Sequence, residues 1–495
     1  MQESAPGPSP GSPLSHSKPA DLPPGEQPAA YSQPADSPSV WRQVERHLAG
    51  LQLLVAAGLF LLIAVTWRLW TPQTAFPRIP LLGPQYLLPA TGEWLVLAVL
   101  LLSLGCRAVL AVLRLLGTTA EPARTVPGSP RLERACGLIS CLCLVLLVAG
   151  DQHRLQAWAW HLGLLSLLIV LQPVPRLFRL SLYLTASIYV WSAWSKMDVT
   201  FFQSAGPYLV GGLLKSVGLS WQDVPAAART ALCGLLPAAE LLTGVGLLWP
   251  RTRRLAVAGS CLMHLALLLT LGPWGLGHSA GVLLWNVFFL VQNPLLASGL
   301  TRLSQAAAEQ GTAVPATADN RHQPAGPTAV CSTTVYSTAA SSVLAVAVLW
   351  PLFEPWGLCD SWLSWNLYSS RSEQVRLFVR SDVRQQLSPA ARQVTDEARP
   401  GQLWCRLRDD QWSLQTTGAP VLPDSRFRLG VALAIARMVE QPEAVRVHRS
   451  SRAGRLTGHR RQEDLYGARA IRAALNRHWL NAEPPAPHGR AGGGK

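Results

Sequence analysis

Long apolar runs without charged residues constrain this chain more than any other feature. The clearest is residues 48–67, twenty positions without a single charged side chain. About 20 apolar residues in a helix cross the roughly 30 Å hydrocarbon core of a bilayer, where only helices and closed barrels satisfy the backbone. The chain of 495 residues is 49% hydrophobic and only 14% charged. The sequence therefore predicts a mainly α, polytopic transmembrane helical bundle.

Similar runs recur along the chain, and we predict about nine membrane-spanning helices. Their approximate limits are 48–67, 94–113, 135–150, 155–174, 180–195, 230–250, 255–271, 279–300 and 333–353. The third and fifth are short, so we expect their ends to lie near the interface or beside tilted neighbours. These spans assign residues 41–354 to a transmembrane helical domain.

The two ends of the chain differ in composition from this central part. Residues 1–40 are rich in Pro, Ser, Gly and Ala, and they contain too few large apolar residues to offset their ordering entropy. We predict that they are disordered. Alternating runs at 375–380, 403–407 and 444–448 predict strands, and periodic runs at 427–440 and 464–479 predict helices. We therefore predict a small soluble α+β domain over 355–483 and a disordered tail over 484–495.

Loop charges predict the orientation. Arginines collect in every second loop, at Arg114, Arg124, Arg131, Arg134, Arg176, Arg179, Arg251, Arg253, Arg254, Arg302 and Arg321. Because cytoplasmic loops retain Lys and Arg, we expect a cytoplasmic N-terminus in a bacterial-type inner (plasma) membrane. Nine spans would then place the C-terminal domain outside, where Cys359 and Cys405 could pair. A change of one span would reverse the side of this domain.

Composition and motifs exclude several classes of protein. The net charge of +15 comes from arginines in loops and in the tail, with no basic stripe interleaved with aromatics, so nucleic acid is not an expected partner. No Cys/His zinc spacing, His-Glu-x-x-His motif or phosphate-binding Gly-rich loop occurs, so no metal site is predicted. The lipid bilayer is the one partner that the sequence identifies, and the cofactor stays unknown.

One lysine stands out because lysine is rare here. The chain has 43 basic residues but only four lysines, Lys18, Lys196, Lys215 and Lys495. Lys can lose its proton in a protein, whereas Arg cannot. Lys196, at the end of the fifth span, is therefore a candidate catalytic base. The alternative is an interfacial anchor whose stem lies along apolar surface and whose ammonium reaches the headgroups.

Glu240 and His264 are ionisable residues inside adjacent predicted spans, where charge is costly. A tight loop at 250–254 joins these spans, so they should form a hairpin. Both residues would then lie roughly 15 Å from the inner surface at 1.5 Å per residue. An acid and an imidazole at equal depth could share a proton as a catalytic pair. A structural hydrogen bond between two helices is the alternative.

Polar residues also follow one face of the fifth span. They are Ser181, Thr185, Tyr189, Ser192 and Lys196. Their helical spacing is compatible with helix–helix packing or with a face that lines a substrate path.

Six residues near the predicted outer ends of the spans are candidate site residues. They are Asp151, His153, Arg154, Lys196, Asp198 and His278. Convergence at one mouth would make the group substrate-binding, whereas mutual salt bridges would make it a structural cap. His161 and Asn286 lie one to two turns below, and they either continue the polar path or are satisfied locally.

The fifth to eighth predicted spans resemble two known membrane families. The residues Tyr189-Val-Trp-Ser-Ala-Trp-Ser-Lys196, then Glu240-Leu-Leu, the loop 251–254 and Met263-His264 resemble the HTTM family, which is related to vitamin K-dependent γ-carboxylases. The same stretch is also similar to DoxX/MauE-like proteins. The chain departs from both by having Ser192-Ala-Trp-Ser where Gly is usual before the Lys.

The HTTM resemblance implies that Lys196 acts as a base toward a hydroquinone or another lipid-soluble small molecule. The DoxX/MauE resemblance implies quinone-linked redox chemistry or maturation of an exported partner. We therefore expect an HTTM-like enzyme acting on a lipid-soluble or membrane-presented substrate. A non-catalytic membrane scaffold with a partner-binding soluble domain is the alternative. A proton-coupled transporter is a third hypothesis, although no inverted repeat is visible.

Overall fold

The computed structural model describes residues 37–117, 129–312, 327–356 and 358–486. Nine helices of at least 15 residues occupy this part of the chain, one at each predicted span. They are α1 Ser37–Val65, α2 Ala90–Gly117, α3 Ser129–Gly150, α4 Ala157–Leu171, α5 Val174–Lys196, α6 Ala226–Leu248, α7 Arg253–Leu271, α8 Ala280–Thr312 and α9 Pro327–Leu349.

Seven of these helices are long and apolar enough to cross a membrane, namely all but α4 and α5. α4 has only 15 residues. α5 has 23 residues but carries Arg176, Arg179 and a row of hydroxyl side chains. The described residues are therefore those of a multi-pass membrane protein, and the count of nine spans stays a prediction.

α4 lies inside the bundle rather than at its surface. Leu162, Leu165 and Leu168 of α4 are at most 1% exposed and pack in one cluster with Leu59 of α1 and Phe288 of α8. A helix that is apolar on all sides is stable when other elements surround it. This burial explains why a helix shorter than the bilayer occupies the predicted fourth span.

The residues after α9 form a four-stranded antiparallel sheet in the order β2-β1-β3-β4. Its strands are β1 Gln374–Arg380, β2 Trp404–Leu407, β3 Val445–Ser450 and β4 Gln462–Tyr466, and the accompanying helices are α10 Asp409–Thr417, α11 Ser425–Met438 and α12 Gly467–Leu475. Alternate β1 residues Val375, Leu377 and Val379 are buried against α11. This region has both α and β elements, in agreement with the sequence.

One predicted element of this region is wrong at its start. The helix expected from residue 464 begins at Gly467, because residues 462–466 pair with β3 as a strand and place Asp464 opposite His448. Strand pairing is a tertiary effect that overrides local helical periodicity. Gly467 has a φ of +74°, which allows the chain to turn from strand to helix.

Two further expectations meet different outcomes. Cys359 and Cys405 are both free and buried, so the possible disulfide between them does not form. Most of the predicted disordered ends, residues 1–36 and 487–495, lies outside the described residues, as do Arg124 and Arg321. Residues 37–40, for which the sequence predicts disorder, belong to α1.

The C-terminal region packs directly on one end of the bundle. Phe76 and Ile79, from the segment between α1 and α2, belong to the same apolar core as the sheet. Trp412 Nε1 donates a hydrogen bond to the Ala75 carbonyl at 2.9 Å, and Gln152 Nε2 donates to the Asn481 carbonyl at 2.6 Å. This end of the bundle is opposite the arginine-rich loops.

Candidate functional site

Lys196, the last residue of α5, is buried and forms an ion pair with the partly buried Glu240 of α6. Its Nζ lies 2.9 Å from both carboxylate oxygens of Glu240 and 2.6 Å from the Ser192 hydroxyl. Lys196 is only 2% exposed. A buried, paired ammonium does not reach toward headgroups, so the geometry disfavours the anchor interpretation.

A glycine allows α5 and α6 to approach closely beside this pair. A Cβ at Gly244, one turn after Glu240, would lie 2.9 Å from the Ala186 carbonyl oxygen of α5. Only a residue without a side chain fits there. Gly244 thereby holds the two helices close enough for Lys196 and Glu240 to meet.

The C-terminal region fixes the end of α5. Arg455, from the loop between β3 and β4, donates hydrogen bonds to the carbonyls of Trp194 at 2.8 Å and Met197 at 3.2 Å. Its guanidinium also lies 4.3 Å from the centroid of the Trp194 ring. Carbonyls at a helix C-terminus have no intrahelical partner. Arg455 therefore caps the turn that carries Lys196.

His264 of α7 belongs to a second hydrogen-bonded chain. Its Nδ1 lies 2.9 Å from Asn286 Oδ1, and its Nε2 lies 2.6 Å from the Tyr189 hydroxyl. Asn286 uses its Nδ2 to donate to the Val282 carbonyl, so its Oδ1 is the acceptor for His264 Nδ1–H. Tyr189 then donates to His264 Nε2 and accepts from Asn293 Nδ2 at 2.7 Å. This assignment makes the imidazole neutral.

The structure therefore changes the pairing predicted for Glu240 and His264. Glu240 bonds to Lys196, and His264 bonds to Tyr189 and Asn286. No hydrogen bond joins Glu240 and His264 within the described part of the chain. Both residues nevertheless line one cavity. They share a space but not a direct proton-transfer contact.

That cavity has a volume of about 480 Å³ and lies between the helices and the C-terminal region. Its size lies within the range of small-molecule sites. Polar side chains line part of it, and most of its exposed surface is apolar, with contributions from Trp158, Ile188, Leu209, Leu236, Met263, Leu267, Leu271, Trp285 and Phe289. Residues 361–372, here called the roof segment, contribute Trp362, Asn366 and Tyr368 to the wall.

The polar face of α5 serves two purposes. Tyr189, Ser192 and Lys196 line the cavity. Nearer the start of the helix, Thr185 accepts a hydrogen bond from Gln292 Nε2 of α8 at 2.7 Å, which is helix–helix packing. One part of this face therefore packs against α8 and another part lines the cavity.

Asp151, His153 and Arg154 do not belong to the cavity wall, contrary to the predicted convergence at one mouth. Arg154 pairs with Glu93 at 3.0 Å. His153 Nε2 lies 3.1 Å from the Pro420 carbonyl, and burial lowers the pKa of this imidazole. Asp151 accepts a hydrogen bond from the His153 backbone N–H. Of these three residues, His153 joins the bundle to the C-terminal region, whereas Asp151 and Arg154 bond within the end of the bundle.

Asp198 and His278, the other two candidates, separate as well. Asp198 accepts a hydrogen bond from the Phe201 N–H at 3.0 Å and caps the short helix Val199–Gln203, outside the cavity wall. His278 lines the cavity, with its ring centroid 5.6 Å from that of Tyr368. His161, outside the wall, accepts a hydrogen bond from Trp285 Nε1.

Of the eight candidate site residues, Lys196, Glu240, His264 and His278 come together around the cavity. Sequence reasoning missed Asn293 and the roof segment. Asn293 lies seven residues after Asn286 on the same face of α8, which is a recognisable helical spacing. Asn366 carried no comparable signal.

Within residues 37–117, 129–312, 327–356 and 358–486, no group of three or more His, Cys, Asp or Glu side chains could hold a metal ion. The wall instead offers an ion pair, an imidazole–phenol hydrogen bond and amides around an apolar space.

No protein-family model, curated protein or solved structure matches this chain. The resemblance to the HTTM and DoxX/MauE-like families therefore depends on the short motifs quoted above.

Proposed function

We propose that this protein is an HTTM-like integral-membrane enzyme that acts on a lipid-soluble or membrane-presented substrate, of which a hydroquinone is the simplest example. One observation carries the proposal: the Lys196–Glu240 ion pair opens onto an apolar cavity of small-molecule size. Ionisable residues inside a membrane bundle are costly. An apolar pair of similar volume is often at least as stable as a buried ion pair. A catalytic role would therefore explain why charged residues occupy these two positions.

Each polar group has a role in this proposal. Glu240 takes up a proton from the ammonium of Lys196, the resulting amine then accepts a proton from a substrate hydroxyl, and the ammonium restored in this step pairs with the substrate anion. Tyr189 and His264 hold a proton between the phenol oxygen and Nε2, 2.6 Å apart, at the same wall. The apolar residues exclude water and strengthen these electrostatic interactions.

The same proposal includes the orientation. The cavity lies at the bundle end that carries the C-terminal region, and the arginine-rich loops lie at the other end. Positive charge on the cytoplasmic side would place the N-terminus in the cytoplasm and the cavity toward the outside of an inner (plasma) membrane.

The test follows oxidation of durohydroquinone to duroquinone by dissolved oxygen, with the purified protein in lipid nanodiscs. Deprotonation activates a hydroquinone for this oxidation. We expect wild-type protein to accelerate the reaction, and Lys196→Arg to reduce the rate to that of empty nanodiscs, because Arg cannot act as the base. Lys215→Arg is the matched control, because Lys215 bonds the Gly275 carbonyl outside the pair and should keep the rate.

Three results would contradict the enzyme proposal. If the wild-type protein does not accelerate the oxidation of durohydroquinone, the non-catalytic scaffold becomes the preferred hypothesis. Full activity in Lys196→Arg would exclude Lys196 as the base. Proton-coupled uptake of a solute into proteoliposomes that survives Lys196→Arg but is lost in Glu240→Gln would favour a transporter.

A further inference from the structure

The roof segment contains a polar side chain that has no role in the reaction proposed above. Asn366 lines the cavity and is only 7% exposed. Its backbone N–H donates to the Ser361 carbonyl at 2.9 Å. Its side-chain amide makes no hydrogen bond to any described residue, and Nδ2 is buried without a partner. A buried polar group without a partner is unfavourable unless a ligand or water satisfies it.

The backbone around Asn366 is held in an uncommon conformation. Trp365 and Tyr368 have φ values of +57° and +58°, a left-handed region that bulky residues rarely adopt. Such conformations persist only when the surroundings enforce them, and they occur often at functional sites. Here Trp365 is fully buried in the core of the helical bundle. The roof segment therefore cannot move away from the cavity without removing Trp365 from that core.

The roof segment is also fastened to the helix that carries Lys196. The Ser369 hydroxyl donates to the Ser195 carbonyl at 3.1 Å, one residue before Lys196. A molecule in the cavity thus meets two groups on connected supports, the ammonium of Lys196 and the amide of Asn366. The amide can present either its oxygen or its nitrogen after a rotation of its side chain.

We propose that Asn366 is a specificity-determining residue that hydrogen-bonds an oxygen substituent of the molecule in the cavity. This inference rests on the proposed function, because it assumes that the cavity holds a lipid-soluble substrate. Asn366 donates to a carbonyl oxygen or accepts from a hydroxyl group. The ligand is therefore an apolar ring or chain that carries at least one oxygen atom.

Two probes of nearly the same shape test this proposal. Duroquinone and durene share one tetramethylated ring, and only duroquinone has carbonyl oxygens. Their binding to the full-length protein in nanodiscs is measured by equilibrium dialysis. We expect wild-type protein to prefer duroquinone, and Asn366→Leu to reduce duroquinone affinity by about threefold to tenfold, as for one hydrogen bond. Durene affinity should stay the same or rise.

Controls separate this proposal from the proposed function. Asn476→Leu, at an exposed site on the C-terminal region, should leave both affinities unchanged. Asn366→Ala provides a second variant if Asn366→Leu does not fold, and it should also lose duroquinone affinity selectively. A preference for duroquinone that persists in both Asn366 variants would overturn the role of Asn366 alone. Wild-type protein that binds neither probe would overturn both the inference and the lipid-soluble substrate.

Discussion

Lys196 and Glu240 are 44 positions apart in the chain, yet the Lys196 Nζ lies 2.9 Å from each carboxylate oxygen of Glu240. The pair joins the end of α5 to the middle of α6. Both side chains also face the cavity, which the roof segment covers from the C-terminal region. This relationship links the fold to the proposed chemistry, because it places a protonatable amine in an apolar space.

The first prediction concerns the stability of this pair. Lys196→Met leaves the partly buried carboxylate of Glu240 without its partner, at a cost of up to about 3–5 kcal/mol, the range for fully buried pairs. The double variant Lys196→Met/Glu240→Leu should recover most of the loss, because an apolar pair leaves no buried charge. Thermal denaturation midpoints in detergent measure both effects. A double variant no more stable than Lys196→Met would contradict the pairing.

The second prediction concerns the contact between α5 and α6. Gly244→Ala places a Cβ 2.9 Å from the Ala186 carbonyl, so the helices must separate at a cost of about 1–3 kcal/mol. We also expect lower durohydroquinone turnover, because Glu240 moves away from Lys196. Gly259→Ala on α7 is the matched control, since no other atom lies within 4 Å of its added Cβ. Equal midpoints for the two variants would exclude this close approach.

The third prediction concerns pH. Burial, together with repulsion from Asp360, raises the pKa of Asp424 to about 7. In the unfolded chain, the pKa of this carboxyl is about 4. The folded state therefore holds a proton that the unfolded state releases, and stability falls as pH rises from about 4 to about 7, with a slope approaching about 1.4 kcal/mol per pH unit.

Asp424→Asn should remove this dependence. The amide keeps an acceptor for the Ser361 N–H, which lies 2.8 Å from Oδ1 of Asp424. We expect the variant to have a higher midpoint than wild type at pH 8 and a similar one at pH 4. Asp410→Asn, at an exposed position, serves as control and should behave as wild type. Parallel pH profiles for wild type and Asp424→Asn would rule out this residue as the cause.

The fourth prediction concerns orientation. Alkaline phosphatase fused after the last residue should be active in intact bacteria, and green fluorescent protein at the same site should stay dark. Fusions in the loop between α6 and α7, which carries Arg251, Arg253 and Arg254, should give the opposite pattern. The reverse result at both sites would invert the membrane orientation and place the cavity toward the cytoplasm.

The sequence predicts the positions of the long helices and of three strands because these depend on local patterns. Runs of apolar residues mark the helices, and alternation marks β1, β2 and β3. The strand β4 was missed because it depends on pairing with β3. Lys196, Glu240 and His264 were found because ionisable residues inside apolar spans are conspicuous.

The side chains that bond to these residues could not be predicted from the sequence. Depth along a helix follows from residue counting, but rotation about the helix axis depends on packing. Residue counting predicts that Glu240 and His264 lie at one depth, but the packing of α6 turns Glu240 toward Lys196. Arg154 lies near the end of the bundle, as expected, yet it pairs with Glu93 beneath the C-terminal region. Asn366 lies at the cavity in a segment where Trp365 and Tyr368 have positive φ values, and the sequence of this segment does not predict those values.

An experimental map of the protein in nanodiscs with duroquinone bound would test the central claim most directly. We expect density for the ring inside the cavity, with one oxygen within hydrogen-bonding distance of the Lys196 ammonium and the other oriented toward the Asn366 amide. A cavity filled only with water, with duroquinone found solely among the surrounding lipids, would contradict the account.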